Sequence, residues 1–245
     1  MRVRNENMKS KYIPKQHGAW AMLIIPFLLG MFASRPGRLH ILLFAGWLLV
    51  YLFTFPLLQW IRTRKTSLYG KPMLLYGGLL IPLAAALLVL DPVLLFWIPL
   101  FLPLFLVNGY FARRNRERAF LNDLAAVMQF SLILFVAYQM GGGKDWRFAG
   151  SLFLLNILYF TGTIFYVKTI IREKNNPLFY KLSVGYHIAS LVICAVCFPA
   201  ALLIPMTVLL LRAVWLPKTK ITVKRSGMLE IAFSLLFTVC ALVIL

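Results

Sequence analysis

Charged residues are scarce in this sequence, at 13% of 245 residues, while hydrophobic residues make up 61% and the mean hydropathy is +0.82. A soluble domain is about half apolar and about a quarter charged. A chain with so few polar groups cannot cover its apolar surface in water, which excludes a soluble domain. The composition therefore predicts one membrane domain, 19–245, preceded by a hydrophilic cytoplasmic tail, 1–18.

Acidic residues are the scarcer of the two charged groups, with seven Asp and Glu against 26 Lys and Arg and a formal net charge of +19. In a soluble protein this balance would favour nucleic-acid binding. Here the basic residues lie in short segments between apolar runs, where membrane topology accounts for them. We therefore predict no nucleic-acid partner and expect membrane lipids, anionic ones in particular, to contact the basic face. Protein partners stay unknown.

Histidine and cysteine are also few, with three of each. His17, His40 and His187 lie in three different segments, so the sequence has no local metal motif and predicts no metal site. Cys194 and Cys197 form a C-x-x-C in an apolar run, where the spacing places two small residues on one helical face. Any cofactor stays unknown.

Long apolar runs alternate with short polar segments, a pattern typical of an all-α polytopic bundle of transmembrane helices. The predicted spans, about nine, are Ala19–Ala33, Leu39–Trp60, Met73–Leu90, Val93–Phe111, Ala119–Met140, Phe148–Ile170, Leu182–Phe198, Ala200–Leu216 and Gly227–Leu245. The first run is short for a bilayer core of about 30 Å, unless its helix begins earlier, at 16–18. Residues 182–216 are too long for one span and barely long enough for two.

The distribution of positive charge tests this assignment. With the N-terminus in the cytoplasm and the C-terminus outside, 22 of the 26 Lys and Arg lie on the inner side. The four on the outer side are Arg35, Arg38, Lys144 and Arg147. One span over 182–216 would change the ratio to 17 against nine. The positive-inside rule therefore favours nine spans.

Polar residues near the membrane are costly and are therefore candidates for function. They concentrate at the predicted cytoplasmic ends of the helices. The candidate catalytic residues are Asp123, Asn122, Glu173, His187 and His17, and the candidate ligand-binding residues are Asn108, Arg113, Arg114, Arg118 and Arg172. A lipid-interface role competes for His17 and a structural hydrogen bond for His187. We expect Arg212 to extend to the inner interface.

Asp123 is the strongest candidate because no oppositely charged residue lies three or four positions away on its helix. Its carboxylate must meet a cation from another helix, a ligand or a metal, or else be neutral. The alternative is a helix-start carboxylate favoured by the helix dipole, with Asn122 helping to cap the first turn. Glu117 has Arg113 at helical spacing and is expected to be an ordinary loop residue.

The segment Arg113–Arg118 carries four arginines beside Asn122 and Asp123. Guanidinium groups bind phosphate oxygens in bidentate fashion, so the loop predicts a site for a phosphate or diphosphate whose isoprenoid or acyl tail lies among the helices. Attraction of ordinary anionic phospholipids to a basic loop is the alternative.

Four segments, Pro14–Trp20, Asn108–Arg114, Glu117–Ala119 and Asn122–Asp123, resemble the YwiC-like family of bacterial cytoplasmic-membrane proteins. The resemblance covers essentially the whole chain. It implies a location, the bacterial inner membrane, but no chemistry.

A second resemblance, in architecture, is to the UbiA prenyltransferases, intramembrane enzymes with nine helices and an active site that faces the cytoplasm. Loops Arg62–Pro72 and Lys168–Lys181 would stand where that family has its two Asp-rich motifs. The first loop has no carboxylate and the second has only Glu173. Binding of Mg²⁺-diphosphate needs several convergent carboxylate oxygens.

Three classes of function stay open, and the sequence does not settle whether the protein is an enzyme. A binding protein or enzyme predicts that Asp123, Arg172 and His187 converge on one cavity at the cytoplasmic side. A structural subunit predicts no cavity. A small-solute transporter predicts polar residues through the midplane, for which the candidates are Thr54, Gln59, Gln129, Asn156 and Thr161.

Overall fold

A computed structural model describes residues 12–14, 17–219 and 221–245 of the chain. Within these ranges the protein is all-α, without β-strands, as predicted. The α-helices are α1 His17–Phe32, α2 Arg38–Thr63, α3 Thr66–Leu90, α4 Ile98–Arg113, α5 Phe120–Ser131, α6 Ile133–Met140, α7 Trp146–Ile171, α8 Pro177–Cys197, α9 Leu203–Trp215 and α10 Val223–Ile244. Short 3₁₀ helices at Pro92–Trp97, Ala200–Leu202 and Leu216–Lys218 flank α4 and α9.

The helices have the length and composition of membrane spans. Eight helical segments in the described ranges are long and apolar enough to cross a bilayer, and Gly18–Phe32 is a shorter ninth. The 16 residues of α1 give about 24 Å, against a hydrocarbon core of about 30 Å. The protein is a multi-pass membrane protein, and the predicted bundle of about nine helices is confirmed.

The region 182–216 contains two helices, as the charge distribution predicted. α8 ends at Cys197, Phe198 adopts an extended backbone, and a 3₁₀ helix after Pro199 leads into α9. Proline has no N–H to donate and disfavours a helical conformation in the residue before it, which explains the break.

One predicted boundary was wrong by seven residues. α3 begins at Thr66 instead of Met73, so most of the predicted loop after the second span is helical. Hydropathy placed the boundary after Lys71 because that residue is charged. A lysine stem can lie along a helix while its ammonium reaches water, so the charge does not end the helix.

The fifth predicted span, Ala119–Met140, is interrupted at Leu132, where α5 gives way to α6. The Ser131 hydroxyl donates to the Val127 carbonyl oxygen at 2.6 Å and accepts from Asn156 Nδ2 at 2.7 Å. A serine hydroxyl that bonds the preceding turn competes with the backbone ladder and bends helices. This local hydrogen bonding explains the interruption, which the hydropathy of the sequence does not predict.

α1 lies inside the bundle, where it packs against α2, α5, α6, α7 and α10. At Gly30 an added Cβ atom would overlap the backbone carbonyl of Leu134 in α6. A glycine is therefore required for this helix crossing, as is common where membrane helices approach closely. The first residues of α1 reach the polar end of the bundle, where the candidate site lies.

Candidate functional site

A cavity of about 560 Å³ lies among α1, α2, α4, α5, α7 and α10. Its polar rim is at the end of the bundle where α1, α5 and α10 begin and α2, α4 and α7 end. The rim residues are Gln59, Glu117, Asn122, Asp123, Lys168 and Arg172. Deeper in the cavity the lining is mainly apolar and includes Trp47, Phe130 and Phe160. A cavity of this size and polarity fits an amphipathic small molecule.

Asp123 and Lys168 form an ion pair at the rim, with Lys168 Nζ 2.8 Å from Asp123 Oδ2. Asp123 stands in the first turn of α5, and Lys168 in the last turn of α7. Lys168 is only 8% exposed, and its ammonium also donates to the backbone carbonyl of Arg118 at 2.7 Å. Of the alternatives for Asp123, a cation from another helix is the one observed.

Glu117 is paired with Arg62 from α2, whose Nη1 lies 2.8 Å from Glu117 Oε2. The other amino group of Arg62 donates to Gln59 at the rim. The expected pairing with Arg113 required a continuous helix, but α4 ends at Arg113 and Asn115 has a left-handed backbone with φ of +56°. Arg113 and Glu117 are therefore not one helical turn apart, and Arg62, from a distant part of the chain, pairs with Glu117 instead.

Arg172 is the rim cation whose charge is least compensated. Its Nη1 donates weakly, at 3.5 Å, to the carbonyl of Arg118, and no carboxylate oxygen among the described residues lies within 4.0 Å of it. Partial burial and the positive charge of Arg118 lower the pKa of Arg172 from its ordinary value. A guanidinium stays charged at neutral pH, so an anion at the rim would be favoured.

Glu230 of α10 lines the cavity, and its carboxylate is bound by Arg212 of α9. Arg212 Nη1 lies 3.0 and 2.9 Å from the two carboxylate oxygens. Arg212 is only 2% exposed, and its guanidinium carbon is 4.3 Å from the centre of the Tyr166 ring. The expectation that Arg212 extends to the interface was wrong, because Glu230 and Tyr166 give its charge partners inside the bundle.

Four predicted site residues, Asn108, Asn122, Asp123 and Arg172, line the cavity together. Asn122 Nδ2 donates to the backbone carbonyl of Glu117 at 2.6 Å, so it holds the loop that enters α5. The Asn122 side chain therefore stabilises the loop. The expected hydrogen bond that would cap the first turn of α5 is not present in the described structure.

The loop arginines and His17 are placed differently. Arg113, Arg114 and Arg118 have exposed side chains outside the cavity lining, and Arg114 stacks over Tyr110 at 5.6 Å. Arg118 contributes only its backbone carbonyl to the rim. The hypothesis that this loop binds phosphate stays a prediction. His17 begins α1, but its side chain lies outside the described part of the structure.

His187 and Glu173 do not reach the cavity. His187 is 5% exposed, its Nδ1 is 2.7 Å from the Ser183 carbonyl oxygen, and its ring packs where Gly162 of α7 leaves room. Glu173 lies in the loop before α8 and accepts from Asn176 Nδ2 at 2.9 Å. Of the three residues expected to converge, only Asp123 and Arg172 do so.

Lys168 and Glu230 belong to the polar groups at the predicted cytoplasmic ends of the helices, but they were not among the predicted site residues. Lys168 and Arg172 are four residues apart and so share one face at the end of a helix, which was a signal for Lys168. The sequence does not indicate the partner of Glu230, since Arg212 is 18 positions away on another helix.

No group of three or more His, Cys, Asp or Glu in the described ranges is placed to hold a metal ion. The three cavity carboxylates, Glu117, Asp123 and Glu230, each have a basic partner at 2.8 or 2.9 Å. The negative charge of each carboxylate is therefore compensated by a basic side chain. The site offers hydrogen bonds and positive charge to a ligand.

Comparison with known proteins identifies relatives of this chain. Residues 13–138 match the YwiC-like protein family, and this stretch includes all four segments that carry the resemblance in the sequence. The chain belongs to the YwiC-like family. It is 45% identical over 179 residues to the uncharacterized protein YwiC of Bacillus subtilis, covering 72% of this chain and 74% of that protein.

A second relative is an uncharacterized protein of Haemophilus influenzae. It is 32% identical to this chain over 234 residues, which are 94% of this chain and 97% of the relative. The similarity to this relative extends over nearly the whole bundle, including the helices that carry the cations of the rim. No solved structure matches the chain. The architectural likeness to UbiA prenyltransferases therefore stays an expectation.

Proposed function

We propose that this protein binds an anionic amphiphile in the cavity, from the cytoplasmic face of the bacterial cytoplasmic membrane. The observation that carries the proposal is the cavity, with a charged rim at one end of the bundle and an apolar, aromatic interior. An anionic head group would lie at the rim and a hydrocarbon tail among the aromatic side chains, where burial contributes about 0.8 kcal/mol per CH₂.

The sign of the head group follows from the ion pairs. Glu117, Asp123 and Glu230 are each within 2.9 Å of a cation, so none has its negative charge free for a cationic ligand. Arg172 lines the same cavity without a carboxylate partner in the described structure. A phosphate oxygen would accept charge-assisted hydrogen bonds from Arg172 and share the ammonium of Lys168.

The orientation of the cavity is supported by the charge distribution. The rim lies at the end of the bundle where 22 of the 26 basic residues are expected, and the positive-inside rule assigns that end to the cytoplasm. Relatives in two bacteria agree with a bacterial membrane.

Two other functions compete with binding. A UbiA-like prenyltransferase would need carboxylate oxygens for Mg²⁺-diphosphate, and the cavity carboxylates already bind basic side chains. A transporter would need polar residues along a path through the midplane, and of its candidates Asn156 lies outside the cavity lining and donates to Ser131 Oγ at 2.7 Å, a bond that joins two helices. Ligand-dependent counterflow into proteoliposomes would support transport.

The test measures binding to the purified full-length protein. Native mass spectrometry of delipidated protein would compare phosphatidylglycerol, farnesyl diphosphate and the net-neutral phosphatidylcholine. We expect wild type to prefer the anionic probes, and Arg172→Ala to weaken their binding roughly 10- to 100-fold, the loss of one charge-assisted hydrogen bond.

The matched control is the double variant Arg113→Ala, Arg114→Ala, which removes two positive charges outside the cavity lining. It should retain nearly the wild-type affinity. The proposal is wrong if this control loses as much binding as Arg172→Ala, or if wild type shows no preference for an anionic probe.

A further inference from the structure

The cavity has a second polar level below its rim, formed by Tyr51 of α2 and Gln129 of α5. Gln129 lies six residues after Asp123 in α5. At a rise of 1.5 Å per residue, it is about 9 Å further from the rim than the ion pair. We name these two residues the deep donors.

The first deep donor is a buried hydroxyl without a partner. Tyr51 is 8% exposed, and its ring is held by edge contacts with Trp20 and Phe130 at centroid distances of 5.3 and 5.7 Å. The Tyr51 hydroxyl has no hydrogen-bond partner among the described residues, although it is buried. Buried polar atoms are normally hydrogen-bonded, so this hydroxyl is free to donate to a ligand in the cavity.

The second deep donor, Gln129, has its orientation set by a neighbour. Asn108 Nδ2 donates both to the Leu104 carbonyl at 3.0 Å and to Gln129 Oε1 at 2.8 Å. A carbonyl can only accept, so Leu104 fixes which end of the Asn108 amide faces Gln129. Gln129 must then present its oxygen to Asn108, which leaves its NH₂ group to donate elsewhere on the cavity wall.

We infer that the amphiphile in the cavity is an acyl-ester lipid, whose ester carbonyl lies among the deep donors. This inference rests on the proposed function and specifies its ligand. A carbonyl oxygen has two lone pairs and can accept from both donors at once. A purely hydrocarbon tail, such as that of a prenyl diphosphate, would leave both donors buried and unpaired.

A matched pair of single-chain probes tests the inference: lysophosphatidylglycerol with an ester-linked oleoyl chain, and its ether analogue, in which a CH₂ replaces the carbonyl. Both have the same anionic head and chain length. We expect wild-type protein to bind the ester about three- to ten-fold more tightly than the ether, the effect of one hydrogen bond. The variant Tyr51→Phe should lose most of that preference while it binds the ether like wild type.

The control variant is Tyr110→Phe, since Tyr110 is 57% exposed on α4 and lies outside the cavity. It should retain the ester preference. Because the Tyr51 hydroxyl has no partner among the described residues, Tyr51→Phe should unfold at the wild-type temperature without lipid, which separates ligand recognition from folding.

The outcomes distinguish the two proposals. Equal binding of ester and ether by wild type would overturn the inference, since it would show that water satisfies the deep donors, while the anionic head group would still support the proposed function. Equal loss of both probes in Tyr51→Phe would also overturn it. Failure of wild type to bind either probe or any other anionic amphiphile would overturn the proposed function itself.

Discussion

The buried ion pair between Arg212 and Glu230 permits a sharp stability prediction. The side chains are 1% and 11% exposed, and Arg212 packs against the faces of Tyr166 and Phe233. Glu230→Gln removes the negative charge and keeps the shape of the side chain. The positive charge of Arg212 would then be left inside the bundle with only an amide oxygen to accept from it.

The expected cost follows from the burial. Breaking a buried pair by removing one partner costs about 3–5 kcal/mol, because the remaining charge is uncompensated. For a chain of this length that corresponds to a fall in Tm of roughly 6–20 °C. By contrast, Glu117→Gln breaks a pair whose side chains are 34% and 24% exposed, and should cost less than about 1 kcal/mol.

The assay is thermal unfolding of the purified protein in detergent, followed by intrinsic fluorescence. A double variant, Arg212→Met with Glu230→Leu, replaces both charges with apolar groups of similar size and should recover most of the lost stability. The reasoning is refuted if Glu230→Gln and Glu117→Gln lower Tm equally, or if the double variant is as unstable as Glu230→Gln.

Three further predictions concern topology, packing and the rim. An alkaline phosphatase fused after Leu245 should be active, and one fused in the loop between α9 and α10 should be inactive; an inactive C-terminal fusion in an inserted protein would contradict nine spans. Gly30→Ala should lower Tm, because its Cβ would overlap the Leu134 carbonyl, whereas Gly150→Ala, with open space around it, should leave Tm unchanged or higher. Asp123→Asn should bind phosphatidylglycerol more tightly in native mass spectrometry, since its carboxylate no longer competes for the rim ammonium; weaker binding would contradict this.

The fold was largely predictable because span length, apolar composition and loop charge are local properties of the sequence. They separated α8 from α9 at Phe198–Pro199 without any structural information. The errors came where the boundary depends on hydrogen bonding or side-chain reach. Lys71 lies within α3 although its charge lowers the hydropathy there, and Ser131 interrupts the fifth span without a comparable drop in hydropathy.

The site was predictable only in part, because its ion pairs join distant segments. The lack of a local partner for Asp123 predicted a cation from elsewhere, but not that Lys168, 45 positions away, would supply it. Arg113 was expected to pair with Glu117 because the spacing is helical, and the left-handed backbone at Asn115 removes that spacing. Such non-local contacts need the packing of α5 against α7, which no pattern in the chain specifies.

The segments that carry the family resemblance meet in one place in the structure. Pro14, Asn108, Glu117 and Asp123 come from separate parts of the first half of the chain, and all of them line the cavity. The cation that pairs with Asp123 comes from the second half, at Lys168, so neither half forms the site alone. The cavity therefore depends on the docking of α5 against α7.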